Sequence, residues 1–93
     1  PPNVTIKSNS YNSIKISYEK VIGADGYVIY RSTSKNGKYS LIKTTTALSY
    51  TDTKLTTGKN YYYKVRAYAY YDTKTKNYGY ISISHTKNRS KLE

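Results

Sequence analysis

The tightest constraint on the fold of this chain is one run of fourteen residues, Leu55-Thr-Thr-Gly-Lys-Asn-Tyr-Tyr-Tyr-Lys-Val-Arg-Ala-Tyr68. A glycine-bearing corner, Thr57-Gly58-Lys59, leads straight into a segment whose odd positions, Tyr61, Tyr63, Val65 and Ala67, share one face. Extended chain alternates its side chains with period two, so Tyr62, Lys64, Arg66, Tyr68 and Tyr70 make the other face. A Tyr just inside such a corner, six residues after a Leu, matches the tyrosine corner of β-sandwiches, whose hydroxyl bonds back to upstream backbone. Leu55, Gly58 and Tyr61 are the structural residues of that corner. They specify a scaffold, not an activity.

The same period runs through the rest of the chain. A first strand is expected over 3–8, with Val4 and Ile6 facing one way, and Asn9-Ser10 marks a turn. Over 12–19, Ile14, Ile16 and Tyr18 share a face and Ser13, Lys15 and Ser17 the other, the alternation of a half-buried antiparallel strand. After a loop at 23–26, a strand over 27–32 puts Tyr27 and Ile29 opposite Val28 and Tyr30. Asn36-Gly37 predicts a type I′ hairpin, whose central residues need positive φ. Strands follow over 39–45, with Leu41 or Ile42 inward, over 48–51, and over 60–70. A polar loop over 72–77 precedes a last strand over 78–86, with Ile81 and Ile83 as core. No segment has an apolar face at helical spacing, and no internal repeat is present. Seven short strands with regular turn signals define an all-β, seven-stranded antiparallel Greek-key sandwich of immunoglobulin-like architecture.

At 93 residues the chain has room for one domain and one core. It contains no Cys, Met, Trp or Phe but 14 Tyr, so the core must be built from Ile, Val, Leu, Ala and Tyr. A buried Tyr hydroxyl needs a partner or a route to water, which favours sheet margins with the oxygen outward. The formal charge of +11 is spread along the chain rather than clustered. Dispersed cations keep a surface solvated and give weak, salt-sensitive attraction to polyanions without specificity, so no specific nucleic-acid site is expected. No apolar run approaches the length of a membrane span.

Catalytic chemistry finds no foothold. The five acids, Glu19, Asp25, Asp52, Asp72 and Glu93, form no motif. Asp25 precedes Gly26 in a turn, and Asp52 is expected to cap the corner by accepting backbone N–H bonds. His85 is the single histidine, expected at the surface after the last strand. With no Cys and no second His, neither a metal site nor a base–nucleophile set can be assembled. The five glycines form no phosphate-binding loop. No catalytic, cofactor-binding or metal residue is therefore assigned. Asn3-Val-Thr5 and Asn88-Arg-Ser90 fit the glycosylation sequon, a short pattern that by itself assigns no function.

The pieces Ile14-Lys-Ile-Ser-Tyr18, Gly23-Ala-Asp-Gly-Tyr-Val-Ile-Tyr-Arg-Ser32, Asn36-Gly-Lys-Tyr39, Ser49-Tyr-Thr-Asp52 and the corner from Leu55 to Ala67 cover nearly the whole chain. In order and spacing they resemble a fibronectin type III domain, especially the bacterial version. The family usually carries Trp at the position of Tyr18, so either the core is looser there or another Tyr fills the space. The resemblance implies a non-catalytic spacer or interaction module of a larger secreted or cell-surface bacterial protein, such as a modular carbohydrate-active enzyme. The integrin-binding motif of animal relatives would sit before the last strand, but here that loop reads Tyr71-Asp-Thr-Lys-Thr-Lys-Asn77. The domain is expected over 1–91. Pro1-Pro2 reads as linker, and Leu92-Glu93 as a remnant of an expression vector.

One surface could carry contact. Tyr62, Lys64, Arg66 and Tyr68, joined by Tyr30 from the 27–32 strand, form an aromatic and basic stripe on an outer sheet face, to which the last strand could add Tyr80. Aromatic faces stack on flat partners, and cross-strand Tyr and Lys pairs also stabilise a sheet by themselves. The partners expected are neighbouring domains of the same polypeptide or, as an alternative, polysaccharide or anionic cell-wall polymer, bound by a monomer.

Overall fold

The computed structural model describes residues 4–72, 74 and 77–89, with backbone alone at 71, 72, 77, 78 and 80–89. Seven strands follow in order: β1 (Val4–Ser10), β2 (Ser13–Tyr18), β3 (Gly26–Ser32), β4 (Ser40–Thr45), β5 (Ser49–Asp52), β6 (Asn60–Asp72) and β7 (Asn77–Arg89). They form two antiparallel sheets, β1-β2-β5 and β4-β3-β6-β7. The all-β sandwich is thus the one expected. β6 and β7 are longer than the sequence pattern implies, at thirteen residues each. The side chains of Ile81, Ile83, Tyr80 and His85, residues 1–3, the domain limit at 91 and Leu92-Glu93 lie outside the described residues.

The core is what period two dictates. Ile14, Ile16 and Tyr18 of β2 meet Tyr27 and Ile29 of β3, Leu55, and Tyr61, Tyr63, Val65 and Ala67 of β6. Val4, Ile6, Ile42 and Tyr50 pack against this cluster from its margins. Of the pair Leu41 and Ile42, Ile42 turns inward, because a bulge in β4 opposite Ile29 and Tyr30 resets the alternation and leaves Leu41 exposed.

Four tyrosines sit inside the core rather than at its rim. Each has its hydroxyl satisfied by a different segment. Tyr18 donates to the Ala47 carbonyl at 2.7 Å, and Tyr27 accepts from the Val21 N–H at 2.9 Å. Tyr61 accepts from the Thr56 N–H at 2.7 Å, and Tyr63 donates to Asp52 at 2.8 Å. The space left by the missing Trp is filled by a second ring: Tyr18 and Tyr27 pack with centroids 4.9 Å apart and planes tilted by 49°.

The corner joins β5 to β6. Gly58 takes φ 84° at the third position of a turn closed by the Lys59 N–H on the Thr56 carbonyl, a conformation that favours glycine. Lys54 also adopts a left-handed φ of 59°. That reversal turns buried Leu55 inward and lets its N–H reach the Asn12 carbonyl at 2.8 Å. The corner is thereby tied to the β1–β2 turn, which falls at Tyr11-Asn12 rather than Asn9-Ser10 because β1 runs through Ser10.

The Asn36-Gly37 reading needs correction. β3 and β4 do form an antiparallel pair, but residues 33–39 separate them. Neither Asn36 nor Gly37 has positive φ. The turn is closed by the Gly37 N–H on the Ser34 carbonyl. This puts Lys35-Asn36 at its centre and Gly37 at the last position, where glycine is favoured without a left-handed backbone.

Registers fix the two poles. Val4 pairs with Tyr18, far along β1 from the Tyr11-Asn12 turn. Arg89 pairs with Asn60 at the start of β6, just past the corner that binds that turn. The first residue of β1 and the last of β7 therefore lie at opposite ends of the sandwich.

Two expectations follow. Tyr61→Phe removes the corner hydrogen bond alone and should lower stability by about 1 kcal/mol; denaturation midpoints equal to the parent's would remove Tyr61 from that role. Burial, and then the nearby Tyr27, pushes the Tyr18 hydroxyl up to about 12 from its ordinary 10.0. Tyr63 is raised as well, by burial first and then by the charge of Asp52. A group raised on folding contributes stability that is intact below its unfolded value and lost as pH climbs through the folded one. Stability should hold up to about pH 10 and fall by on the order of 2 kcal/mol by pH 12. Alkaline unfolding followed by tyrosinate absorbance reads this, with a shallower slope in Tyr18→Phe.

Candidate contact face

Tyr62, Lys64 and Arg66 occupy the even, outward positions of β6, each half-buried. Tyr30 of β3 stands directly across from Lys64, and Val28 across from Arg66. Tyr30, Lys64 and Arg66 come together with Tyr39, from the end of the β3–β4 loop, to line a shallow depression. Tyr39 was not singled out by the sequence, because its place depends on how residues 33–39 fold back. The one local signal is a Tyr at the foot of a strand beside a cationic row.

The rings of this face are already occupied. The Lys64 ammonium lies 4.3 Å from the centroid of the Tyr39 ring, and the Arg66 guanidinium 5.7 Å from that of Tyr30. Such pairs contribute on the order of 0.5–1 kcal/mol at exposed sites. Burial, and then Tyr62, raises the Tyr39 hydroxyl above its ordinary value. All of these groups can donate hydrogen bonds, and the two cations can only donate, so the depression suits an electron-rich partner.

Tyr68 is placed differently from the other members of the stripe. It is buried, with Val28 beside it on the same outer face at 2 % exposure. Its ring lies over Gly26, its cross-strand partner. A Cβ at Gly26 would come within 2.3 Å of the Tyr68 hydroxyl and 2.5 Å of Cζ. Only glycine permits this approach. Tyr70 then meets the Tyr68 ring edge-on at 5.6 Å. Asp25, expected in a turn, accepts from the Tyr70 N–H at 2.7 Å and donates its own N–H to the Tyr68 carbonyl at 2.8 Å, closing the end of the β3–β6 pair.

Asp52 is not the cap the sequence suggested. It ends β5 facing the interior, 4 % exposed, where corner N–H groups do not reach it. One guanidinium nitrogen of Arg31 lies 2.9 Å from both carboxylate oxygens, and the Tyr63 hydroxyl donates to Oδ2 at 2.8 Å. Arg31 and Tyr63 are cross-strand partners in β3 and β6, so this group ties the second sheet to β5 of the first. Burial pulls the Arg31 guanidinium down, but the hydrogen bond and charge of Asp52 outweigh it and leave it raised. Tyr63 stays a protonated donor. Arg31 was missed, although its odd position after Tyr27 and Ile29 marks it as inward. An inward Arg needs a carboxylate, and Asp52 is the acid on the facing sheet. Asp52 and Tyr63 are buried and only Arg31 reaches water, so the cluster acts as a fastening between the sheets. Among the described residues no three His, Cys, Asp or Glu side chains gather to hold a metal, and no helix is long and apolar enough to cross a membrane.

Comparison with known proteins agrees with this geometry. No family model matches the chain. An amylopullulanase of Thermoanaerobacter thermohydrosulfuricus is 41% identical over 68 residues, which is 71% of this chain but 5% of that enzyme. A crystal structure of an Fn3-like protein from Clostridium thermocellum superposes with TM-score 0.72 at 29% identity, over 99% of this chain and 94% of that one. The crystal structure of FN3tt gives TM-score 0.78 at 18% identity, over 97% and 91%. The sixth fibronectin type III domain of human fibronectin type III domain containing protein 3 gives 0.72 at 17%, over 100% and 83%. The last two speak to the fold alone.

Removing Asp52 should be costly. Asp52→Ala strands the fully buried Tyr63 hydroxyl and leaves Arg31 unpaired, and should cost about 3 kcal/mol. Arg31→Met leaves the buried carboxylate with Tyr63 as its one described donor and should also cost about 3 kcal/mol. Denaturant midpoints check both; a parent-like midpoint in Arg31→Met would rule out the ion pair as a fastening.

Proposed function

We propose that this chain, a fibronectin type III domain, works as a non-catalytic spacer and docking module of a larger secreted or cell-surface bacterial protein, of the modular carbohydrate-active kind. The observation that carries the reading is the placement of the first residue of β1 and the last of β7 at opposite poles of a sandwich pinned at both of them. A domain entered at one pole and left at the other holds its neighbours apart. The 41% identity to a short stretch of an amylopullulanase supports a modular carbohydrate-active setting. The pole where β1 begins also carries apolar side chains available to a neighbour: Ile22 is 95% exposed in the β2–β3 loop, and Leu48 is exposed where its carbonyl accepts the Tyr18 N–H.

The depression between Tyr30, Tyr39, Lys64 and Arg66 favours a second reading, a module that holds polysaccharide or anionic wall polymer with that face. Its rings are covered by its own cations, which leaves less free aromatic surface for sugar stacking. The two readings part in one experiment. Small-angle scattering of the parent protein with and without this domain should show a particle shortened by about 40 Å, the length of its longest strands. Its retention on insoluble glycan should stay unchanged. Lost retention at constant length would reverse the order of the two readings.

A further inference from the structure

The outer face of β1 and β2 carries an arrangement the sandwich does not need. Val4 and Ile6 of β1 and Ile14, Ile16 and Tyr18 of β2 turn inward, so Thr5, Lys7, Lys15 and Ser17 turn outward. In register, Lys7 stands directly opposite Lys15 and Thr5 opposite Ser17. β5 continues both rows, with Thr51 beside Lys15 and Ser49 beside Ser17. Opposed strand residues hold their Cβ atoms about 4.5–5.5 Å apart, and like charges placed so oppose pairing. Both lysines are exposed, and neither side chain has a hydrogen bond or ion pair to another described residue. A depression over this face is lined by Thr5, Lys7, Ser8, Asn9, Lys15 and Ser17.

The three acids whose side chains are described, Asp52, Asp25 and Glu19, do not relieve this repulsion. Asp52 is buried against Arg31 and Tyr63, and Asp25 is engaged by the Tyr70 N–H. Glu19 borders an adjoining depression with Thr5, Ser17 and Tyr18 and pairs with neither lysine. Among the described residues no counter-charge reaches the two lysines, which leaves the place open to an outside anion. The lining is ammonium, hydroxyl and amide, without an aromatic ring. Bases of a nucleic acid would find nothing to stack on, whereas sugar hydroxyls would find donors and acceptors at Thr5, Asn9 and Ser17. Ammonium groups act as point charges and do not demand a planar bidentate anion.

We propose that this face is a binding site for an acidic polysaccharide, with one carboxylate or sulfate seated between Lys7 and Lys15 and the neighbouring sugar hydroxyls on Thr5, Asn9 and Ser17. The site lies on the sheet opposite the tyrosine-bearing face and is independent of the spacer reading, because a spacer needs no such face. The test uses the chain itself on immobilised polygalacturonate (carboxylate), dextran sulfate (sulfate) and amylose (uncharged). The parent should be retained at low salt by at least one acidic polymer, be released by high salt, and ignore amylose. Lys7→Gln with Lys15→Gln should weaken retention by about tenfold or more, while Lys64→Gln with Arg66→Gln, which removes the same charge from the other sheet, should weaken it less than about threefold. An unfolding midpoint of the first double variant at or above the parent's keeps its loss from being a folding defect. Equal losses in the two double variants, a loss confined to the second, tighter retention on single-stranded DNA, or no retention of the parent would each overturn the site.

Discussion

Everything in this sandwich depends on how a core without Phe, Trp or Met disposes of tyrosine hydroxyls. A buried phenol offers the ring area a small domain needs, but an orphaned hydroxyl costs about 1–3 kcal/mol, as much as one aromatic contact returns. The chain meets that condition four times, each time with a group from a different segment. Tyr18 binds the β4–β5 loop, Tyr27 the β2–β3 loop, Tyr61 the corner and Tyr63 the end of β5. The satisfied hydroxyls therefore act as stitches. Two hold the pole where β1 begins and two hold the pole of the corner, so the connections at both ends are bonded to the core they cover.

The Arg31–Asp52–Tyr63 group extends the same logic to charge. A buried carboxylate is tolerated only with partners that neutralise and bond it. Here one partner is a phenol that itself needed an acceptor, and the other is an Arg that still reaches water. One group removes two liabilities and joins the two sheets.

Period two was enough to read β2, β3 and β6 and their inward residues, because the apolar residues of one parity on each strand fill the core cluster, even where Val28 and Tyr68 are buried on the outer face as well. The corner was legible for a stronger reason: Leu55, Gly58 and Tyr61 act on one another within seven residues. What the sequence hid were relations between distant segments. Asp52 faces Arg31 only because β5 crosses β3 on the other sheet. Tyr68 is buried because Gly26, forty-two residues earlier, lacks a Cβ. Asn36-Gly37 misled because a dipeptide signal does not state which of its residues is central in the turn. Tyr39 joined the depression through a loop whose path no local pattern encodes.

The two outer faces follow from these choices in different ways. On the β4-β3-β6-β7 sheet the aromatic side chains draw the cations down onto themselves, Lys64 onto Tyr39 and Arg66 onto Tyr30, while Tyr68 closes over Gly26. Much of that surface is spent on the sheet's own stability. Among the described residues the β1-β2-β5 sheet has no outward ring to absorb its lysines; Asp52 and Asp25 are engaged elsewhere, and Glu19 pairs with neither. With sixteen cations against five acids, the chain has more cations than its own carboxylates can pair. On the proposed spacer reading the poles face neighbouring domains, which leaves the two sides for other contact. Of the two, the hydroxyl-rich side retains unspent charge, so the residues that make this chain a sandwich and those that let it attract a polymer lie on opposite faces of the same two strands.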